Sequence, residues 1–559
     1  MKELFKRLLA HPLLTFEIMV CSLFISILGL ASAVYVMNVL NRYVSNGIDA
    51  TLYTLMAGII IAITFDYAFK GLRIRLAAAI NAEPDARLSE ISYEKCANAR
   101  YGALMQLDGG LRREILAGIS VIQQTYTPLN LVNLIDVPFA FLYIGAIAFL
   151  NPIICVVVLA TASILILSSL SIQFFLNRNM KELSSLTVTQ ATLVHSLQQG
   201  ADSIRAFNSA GEVQGKLKEA YEHHAKVREK VQKKQASLSH LSMTLSSLMS
   251  VFVIALGASQ VLSLEMSIGA MIGANILAGR ALMPISRCAT MSYQLVVADY
   301  HLKLLKNFLE IPSEVDEGLE PEAAPQKLEF KNLSFSFASL PNPLFSNLSL
   351  ALPAGSFVVI SGANGTGKST LAKMLVGLYA PNRGQLLLDN TDLRQYKQSW
   401  WRKQLIYLPQ EPSFYEGSLR ENLVSLRPEA EDEEIRKALS QVQLNHFIDR
   451  SVDGLNMPMR ESGSHIALGI RRRLALARAL IGGGSIVLFD EPAEGMDAEG
   501  SRAVFALIQQ FRMEKKTIVL CSSRPPNAFP NADIVINLNK NPIPEILKGP
   551  FRGKEGQDA

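Results

Sequence analysis

Apolar and polar positions are distributed unevenly along this chain of 559 residues. Before about residue 300 there are roughly six apolar runs, each close to the ~20 residues that a helix needs to cross a bilayer. They cover residues 13–40, 52–69, 131–150, 152–174, 241–262 and 268–285. From about residue 327 the pattern changes to short apolar runs, Gly/Pro turns and helix-like stretches, which is typical of a soluble α/β domain. The pattern therefore predicts a multi-domain membrane protein, with an all-α domain of six spanning helices followed by an α/β domain.

The connections between the apolar runs predict the orientation of the membrane domain. Those after the second and fourth runs are long and rich in Lys and Arg, whereas those after the third and fifth are very short. Because basic loops stay in the cytoplasm, we expect the long connections and both termini there. Helical periodicity in the long connections predicts that the spanning helices continue beyond the bilayer. Four ionisable side chains lie inside the runs: Glu17, Asp66, Asp136 and Arg280. They either line a translocation path, or lie at the interfacial ends of the spans or pair structurally.

Composition and charge agree with this division and exclude some partners. Hydrophobic residues make up 49% of the chain and charged residues 18%, which is too apolar for a soluble protein. The net charge of +5 is small for this length, so no nucleic-acid partner is expected. The five cysteines are scattered, which argues against a disulfide or metal role. We predict a membrane domain at 1–312, an acidic linker at 313–325, the α/β domain at 326–545 and a disordered tail at 546–559.

One segment of the α/β region fits the phosphate-binding loop, a Gly, four further residues and then Gly-Lys-Ser. It lies between a strand-like run at 357–360 and a helix-like run at 370–378. In this context the glycines turn backbone N–H groups toward phosphate oxygens at a helix N-terminus. Lys368 is placed to reach the β- and γ-phosphates, and Ser369 to ligate Mg²⁺. The residues predicted to hold the nucleotide here are Gly362, Ala363, Asn364, Gly365, Thr366, Gly367, Lys368, Ser369 and Thr370.

Two carboxylates stand at the end of a second buried strand-like run, residues 486–489. Asp490 is placed to hold Mg²⁺ through water, and Glu491 to orient or polarise an attacking water. Phosphoryl transfer depends mainly on positioning and charge stabilisation, so this placement is what hydrolysis requires. A strand that ends in a solvated acidic turn is the alternative, but it does not account for the phosphate-binding loop on the same chain.

With these motifs the chain resembles an ATP-binding cassette (ABC) exporter in which a membrane domain is fused to a nucleotide domain. Phe337 matches the family's aromatic residue that stacks on adenine, and Gln410 matches the glutamine that joins the metal site to the membrane domain. Asp497 matches the aspartate of the loop after the catalytic Glu. The resemblance implies that ATP and Mg²⁺ bind together, with Ser369, Gln410 and Asp490 at the metal.

Short segments of the membrane half point to one branch of the family. Residues 201–207 resemble a cytoplasmic loop of exporters, and residues 136–139 and 279–284 resemble the type I protein secretion branch. That branch exports unfolded proteins from Gram-negative bacteria in one step. The resemblance implies a dimeric, multi-pass protein of the cell inner membrane with a cytoplasmic nucleotide domain. It also implies a periplasmic adaptor and an outer-membrane channel as partners.

Two sites depart from the family pattern. The signature Leu-Ser-Gly-Gly-Gln aligns with residues 466–470, where Ala467 replaces the serine and Leu468 replaces the first glycine. In the family this segment caps the γ-phosphate of the ATP that is bound to the other subunit. The serine donates a hydrogen bond to the phosphate, and the glycines let the backbone approach it closely. Ser523 stands where the family has a histidine that contacts the γ-phosphate, and it is a weak substitute. The predicted catalytic residues are Glu491, Gln410 and Ser523.

These departures leave several functions open. The main prediction is an ATP-hydrolysing translocase that exports a protein or peptide by ATP-driven alternating access, and whose ATPase activity the altered signature and Ser523 are expected to impair. In a homodimer both ATP sites would carry every defect, whereas a heterodimer partner with an intact signature would confine the signature defect to one site. The alternatives are a catalytically impaired regulatory subunit of a heterodimeric transporter, and a lipid or small-molecule exporter. No peptidase-like domain precedes the first apolar run, so cleavage of a leader peptide is not expected.

Overall fold

The computed structural model describes residues 2–337 and 341–549, and the chain divides into two compact units. The first unit contains the described residues up to Asn98 and Gln106–Ile311. The second contains Ala99–Met105 and the described residues from Pro312 onward. The short segment Ala99–Met105, which the sequence placed with the membrane domain, therefore groups with the nucleotide domain.

The chain before residue 312 is helical, as the apolar pattern predicts. The helices are α1 (Lys2–Ala10), α2 (Pro12–Asn38), α3 (Val44–Asn46), α4 (Asp49–Asn98), α5 (Tyr101–Gln106), α6 (Gly109–Thr125), α7 (Pro128–Ile135), α8 (Ala140–Leu150), α9 (Pro152–Gln199), α10 (Ala201–Ala206), α11 (Ala210–Leu262), α12 (Ile268–Thr290) and α13 (Ser292–Leu309), with a π-helical turn at Val39–Tyr43. Among the described residues, six helical stretches are long and apolar enough to cross a membrane. They are Pro12–Tyr43, Asp49–Asn98, Pro128–Leu150, Pro152–Gln198, Ala210–Leu262 and Ile268–Leu309. Each contains one predicted run, so the six-helix prediction is confirmed.

Three of these helices are much longer than a bilayer requires. Helices α4, α9 and α11 contain 50, 48 and 53 residues. At 1.5 Å per residue they extend about 70–80 Å, more than twice the ~30 Å hydrocarbon core. The predicted continuation of the spanning helices beyond the bilayer is therefore present. Tight turns separate the helices at the other end, where the Asn151 carboxamide oxygen accepts hydrogen bonds from the backbone of Ile153 and Ile154 and caps α9.

The core of the first unit lies where α12 packs against α2, α8 and α9. Ile147, Val158 and Leu282 are fully buried there, together with small residues of α12 such as Ala278. Gly273 allows a close approach to α2, because a Cβ at that position would lie 2.6 Å from the Cγ atom of Met37. Small residues at helix contacts are a common way for membrane helices to pack closely.

The second unit combines sheets and helices. Its strands are β1 (Lys327–Phe335), β2 (Phe345–Pro353), β3 (Phe357–Ser361), β4 (Arg383–Leu388), β5 (Thr391–Asp392), β6 (Leu405–Leu408), β7 (Gly417–Ser418), β8 (Pro458–Met459), β9 (Ile486–Asp490), β10 (Thr517–Ser522), β11 (Ile534–Asn537) and β12 (Glu545–Lys548). Its main helices are α14 (Lys368–Leu375), α15 (Gln398–Lys403), α16 (Leu419–Leu423), α17 (Asp432–Gln441), α18 (Asn445–Arg450), α19 (Leu468–Gly482) and α20 (Ala498–Met513). The α/β prediction for this region is confirmed.

The central sheet has the strand order β12-β11-β3-β10-β9-β6, and all neighbours except β11 and β12 are parallel. Every residue of β3, β9 and β10 is buried, which explains their continuous apolar sequences. Because the carboxyl ends of parallel strands meet at one edge, the segments after these three strands converge. A separate antiparallel sheet has the order β2-β1-β4-β5.

The ends of the second unit differ in detail from the predicted boundaries. Strand β12 pairs with β11 through Lys548, so ordered structure extends past the predicted boundary at residue 545. The rest of the predicted tail, from residue 550, lies outside the described residues. At the other end, the predicted linker is held against α15. The Arg402 guanidinium bonds both carboxylate oxygens of Glu314 at 2.8 and 2.9 Å, and Lys397 pairs with Glu320 at 2.7 Å.

Candidate nucleotide site

The loop between β3 and α14 wraps around its own lysine. The Lys368 ammonium donates hydrogen bonds to the carbonyl oxygens of Gly362 at 2.7 Å and Ala363 at 3.1 Å. Gly365 and Gly367 have φ angles of 84° and 102°, which side chains other than glycine rarely adopt. The glycines of the pattern are therefore needed for the turn, and the turn holds a buried cation at the start of α14.

The predicted catalytic carboxylate lies beside this cation. Glu491 Oε1 is 3.4 Å from the Lys368 ammonium, and the Ser523 hydroxyl donates to Glu491 Oε2 at 3.5 Å. Glu491 has a φ of 49°, in the left-handed region that is unfavourable for a non-glycine residue. Such strain is often retained at functional sites, where the surrounding structure fixes one geometry. The ends of β3, β9 and β10 thus bring Lys368, Glu491 and Ser523 together.

Three oxygen-bearing side chains gather on the other side of the loop. The Ser369 hydroxyl donates to the carboxamide oxygen of Gln410 at 3.2 Å. Asp490 is 1% exposed, and its Oδ1 atom has no hydrogen-bond partner among the described residues. Burial raises the pKa of the Asp490 carboxyl, whereas a hydrogen bond with Ser369 lowers that pKa. An unpartnered buried carboxylate oxygen beside a hydroxyl and an amide oxygen fits the oxygen ligands that Mg²⁺ prefers.

A cavity of about 390 Å³ adjoins these groups. The predicted nucleotide-site residues that line it are Phe337, Asn364, Gly365, Gly367, Lys368, Ser369 and Thr370, together with Gln410. The other three support the loop itself. Gly362 and Ala363 donate their backbone N–H groups to Ser522 and Asn539, and the Thr366 hydroxyl donates to the Ala363 carbonyl oxygen. Asn539, two residues after the end of β11, was missed by sequence reasoning because it belongs to no recognised motif.

Phe337 borders the cavity and belongs to an aromatic group within the second unit. Its ring meets those of Phe335 and Tyr379 edge to face, with centroids 5.0 and 5.8 Å apart. Tyr379 also meets Tyr101 edge to face at 5.4 Å, which attaches the segment Ala99–Met105 to this domain. Sequence reasoning found Phe337 but not Tyr379 or Tyr101, because nothing local marks these tyrosines as its neighbours.

Arg472 is a further residue of the site that sequence reasoning missed. It is 3% exposed and donates to the backbone carbonyl oxygens of Glu491 at 3.1 Å and Gln410 at 2.8 Å. Glu494 accepts a hydrogen bond from Gln410 at 3.3 Å and lies 3.6 Å from Arg472. A buried arginine thus fixes the backbone that carries two of the predicted catalytic residues. The available signal was the run of three arginines, 471–473, inside a mainly apolar helix.

The altered signature lies at the start of α19. Ala467 occupies the N-cap position, with φ −54° and ψ 139°, and no side chain caps the helix. Leu468, the first helical residue, is 38% exposed. A serine at the N-cap would offer the hydroxyl that caps helices and binds anions, and alanine cannot. By contrast, Asp497 caps α20 through the Gly500 N–H at 2.7 Å and lies 3.3 Å from Arg473.

Comparison with known proteins agrees with this geometry. The sequence model of the ABC transporter family matches residues 345–494, a range that contains the phosphate-binding loop and Glu491 but neither Phe337 nor Ser523. The leukotoxin translocation ATP-binding protein LktB of Mannheimia glucosida is 25% identical over 531 residues, which cover 95% of this chain and 75% of LktB. LktB of Bibersteinia trehalosi is 24% identical over the same coverage. The structure of a bacterial Atm1-family ABC exporter with ATP bound aligns over 96% of this chain and 95% of the exporter chain, with a TM-score of 0.84 and 17% sequence identity.

Proposed function

We propose that this chain, an ABC transporter domain fused to an N-terminal membrane domain with the fold of an ABC exporter, is an ATP-hydrolysing half-transporter for a protein or peptide. The observation that carries the proposal is the convergence of Lys368, Ser369, Glu491 and Asp490 at one sheet edge. Six candidate spans on the same chain, together with the similarity to membrane exporters, support an inner-membrane location with the nucleotide domain in the cytoplasm. The similarity to proteins named for leukotoxin translocation supports a polypeptide substrate.

In this proposal each residue has a separate task in hydrolysis. Lys368 leaves the carbonyl oxygens of Gly362 and Ala363 and binds the β- and γ-phosphates. Ser369, Gln410 and Asp490 would hold Mg²⁺, which neutralises phosphate charge when it is bound. Together these groups bind and orient the triphosphate before any bond breaks.

The remaining residues position the attacking water. Glu491 accepts a hydrogen bond from this water and directs it at the γ-phosphorus. Ser523 holds the Glu491 carboxylate through its hydroxyl, and Arg472 fixes the backbone of Glu491 and Gln410. Fixed donors and acceptors lower the barrier because they need not reorganise when charge develops.

ABC exporters function as dimers, and we infer that the partner here is a second half-transporter with an intact signature. In that pair the Glu491 of this chain would work with the partner's signature. The partner's phosphate-binding loop would face Ala467 and Leu468, which offer no hydroxyl donor and add an exposed leucine side chain. A periplasmic adaptor and an outer-membrane channel would complete the export path.

A second candidate function is a regulatory subunit with little ATPase activity. Three substitutions in the groups that close over the γ-phosphate favour it: Ala467, Leu468 and Ser523. The position of Glu491, buried beside Lys368, favours hydrolysis instead. The two functions share nucleotide binding and differ in turnover.

Nucleotide binding tests what both functions share. Replacing Lys368 with Ala should weaken ATP binding to the purified full-length chain about 10- to 100-fold, because hydrogen bonds to charged groups are lost. Fluorescence titration with an ATP analogue measures this change. Lys373→Ala is a matched control on the same helix, since Lys373 does not line the cavity and lies 5.8 Å over the Tyr101 ring. Equal affinity in the Lys368 variant and the wild type would refute the proposed site.

The role of Phe337 can be tested in the same assay. Phe337→Ala should weaken ATP binding about tenfold, because base–aromatic stacking contributes roughly 1–3 kcal/mol. Phe337→Tyr keeps the ring and should bind within about twofold of the wild type. Triphosphate without a base separates the two contributions, since its binding should depend on Lys368 and not on Phe337. A Phe337→Ala chain that binds ATP as the wild type does would exclude stacking on this ring.

A further inference from the structure

A cavity of about 960 Å³ lies among helices α2, α4, α8, α11 and α12 of the first unit. Ionisable side chains inside a membrane are costly and usually functional. Six line this cavity: Asp66, Lys70, Arg73, Asp136, Arg280 and Arg287. Four are cationic and two are anionic, so the lining carries a surplus of two positive charges.

Both carboxylates are already engaged. Asp66 pairs with Lys70 at 2.5 Å, and Asp136 pairs with Arg73 at 2.5 Å. Arg73 also donates to the Ser22 hydroxyl at 3.0 Å. Asp66 and Asp136 therefore line the cavity and are also structurally paired, so neither carboxylate is free for a ligand. These two ion pairs account for all of the negative charge in the lining.

Arg280 and Arg287 are left with neutral partners. Arg287 donates to the carboxamide oxygen of Asn133 at 3.3 Å, and Arg280 lies beside the Tyr143 hydroxyl. Within the part of the chain that the structure describes, neither forms an ion pair. Asp136 lies close enough to Arg287 for their charges to interact, but its ion-pair partner is Arg73. Two guanidinium groups thus face a cavity in which an anionic ligand would compensate them.

The spacing of the two arginines indicates the shape of that ligand. They lie about two turns apart on one face of α12, and therefore about 10 Å apart along its axis. A polypeptide in the extended polyproline II conformation has three residues per turn and advances about 3.1 Å per residue, so acidic side chains three residues apart lie on one face and about 9 Å apart. Ser246 and Ser247 of α11 add hydroxyl oxygens to the lining, which can accept hydrogen bonds from peptide N–H groups.

We propose that this cavity binds an acidic, extended segment of the exported polypeptide, with carboxylates paired to Arg280 and Arg287. The inference rests on the proposed function, because only a polypeptide exporter would receive such a segment. Charge-assisted contacts between guanidinium and carboxylate groups, away from bulk water, supply the recognition.

The test uses the full-length chain in nanodiscs of zwitterionic lipid. The probe is a fluorescein-labelled Gly/Ser peptide of about twelve residues with two aspartates three positions apart, and the matched peptide carries asparagines instead. Anisotropy titration should show at least tenfold tighter binding of the aspartate peptide. Arg280→Gln and Arg287→Gln should each weaken that binding about tenfold, and the double variant about 100-fold. Arg→Lys variants should retain part of the affinity, because they keep the charge.

A matched control removes an ion pair from the same cavity without changing its net charge. The double variant Asp66→Asn with Lys70→Gln should bind the aspartate peptide within about twofold of the wild type. Retained ATP binding shows that the nucleotide domain of each variant is folded, and an unchanged size-exclusion profile shows the same for the membrane domain. The comparison of the two peptides on the wild type requires no variant.

Equal binding of the two peptides, or unchanged binding in the arginine variants, would overturn the proposal. So would variants that release co-purified phosphatidylglycerol, measured by mass spectrometry, without any change in peptide binding, because the cavity would then bind a lipid anion. The outcome is separable from that of the proposed function. A wild-type chain with Glu491-dependent ATPase activity but no preference for the acidic peptide refutes only this inference. A chain without nucleotide binding or turnover refutes the proposed function, whatever the peptides show.

Discussion

Replacing Glu491 with Gln is expected to lower the ATPase rate of the purified chain about 100- to 1,000-fold and to leave ATP binding intact. Glutamine keeps the shape of the side chain but loses the negative charge that orients and polarises the attacking water. Removal of one preorganised group from a site of developing charge costs about this much in rate. The same change removes the 3.4 Å ion pair with Lys368, which frees the lysine for the phosphates. Phosphate release and nucleotide titration on the same preparation measure both effects.

A neighbouring glutamate provides the control for this variant. Glu499 is more than half exposed and lies 4.0 Å from Arg473, away from the nucleotide cavity. Glu499→Gln should therefore keep at least half of the wild-type rate. Near-zero rates in the wild type and in the Glu491 variant alike would contradict the prediction and favour the regulatory subunit. That outcome would leave the nucleotide site itself in place.

Restoring the signature is expected to have the opposite effect. The double variant Ala467→Ser with Leu468→Gly should raise the ATPase rate of the purified chain about 100-fold or more, because it returns a donor and removes bulk. In the single variant Ala467→Ser the serine would also cap α19, which has no side-chain cap, and stabilise the fold by about 1 kcal/mol. In the double variant the glycine at the first helical position offsets this stabilisation. Steady-state ATPase assays of the double variant and thermal unfolding of the single variant measure these two gains.

The single variants separate the two causes. Ala467→Ser alone adds the hydroxyl group, and Leu468→Gly alone removes the side chain. If the chain works with a partner whose signature is intact, the double substitution should raise the ATPase rate of the chain purified alone more than it raises the rate of the co-purified pair. No acceleration in either preparation would show that the signature does not limit turnover, and Ser523→His would then be the next position to restore. Size-exclusion chromatography that yields only a fully active homodimer would exclude the unequal pair.

The sequence by itself determined the elements that depend on short stretches of chain. The six apolar runs predicted the six candidate spans, because spanning a bilayer requires length and apolarity and little else. The loop at 362–369 and the pair Asp490 and Glu491 were found because glycines, lysine and carboxylates at fixed spacing are needed for phosphate chemistry. Strands β3 and β9, which carry these motifs, were recognisable from continuous apolar runs.

Only the tertiary structure decided which distant residues meet. It placed Arg472 on the carbonyl groups of Glu491 and Gln410, and it joined Tyr101 to Tyr379. It also paired Asp136 with Arg73 and so left two arginines of α12 without an ion-pair partner in the described chain. A local sequence pattern reflects the general environment of its own segment, such as a bilayer, a sheet or a bound phosphate. Contacts between segments depend on helix rotation and strand order, and the whole chain must fold before these are fixed.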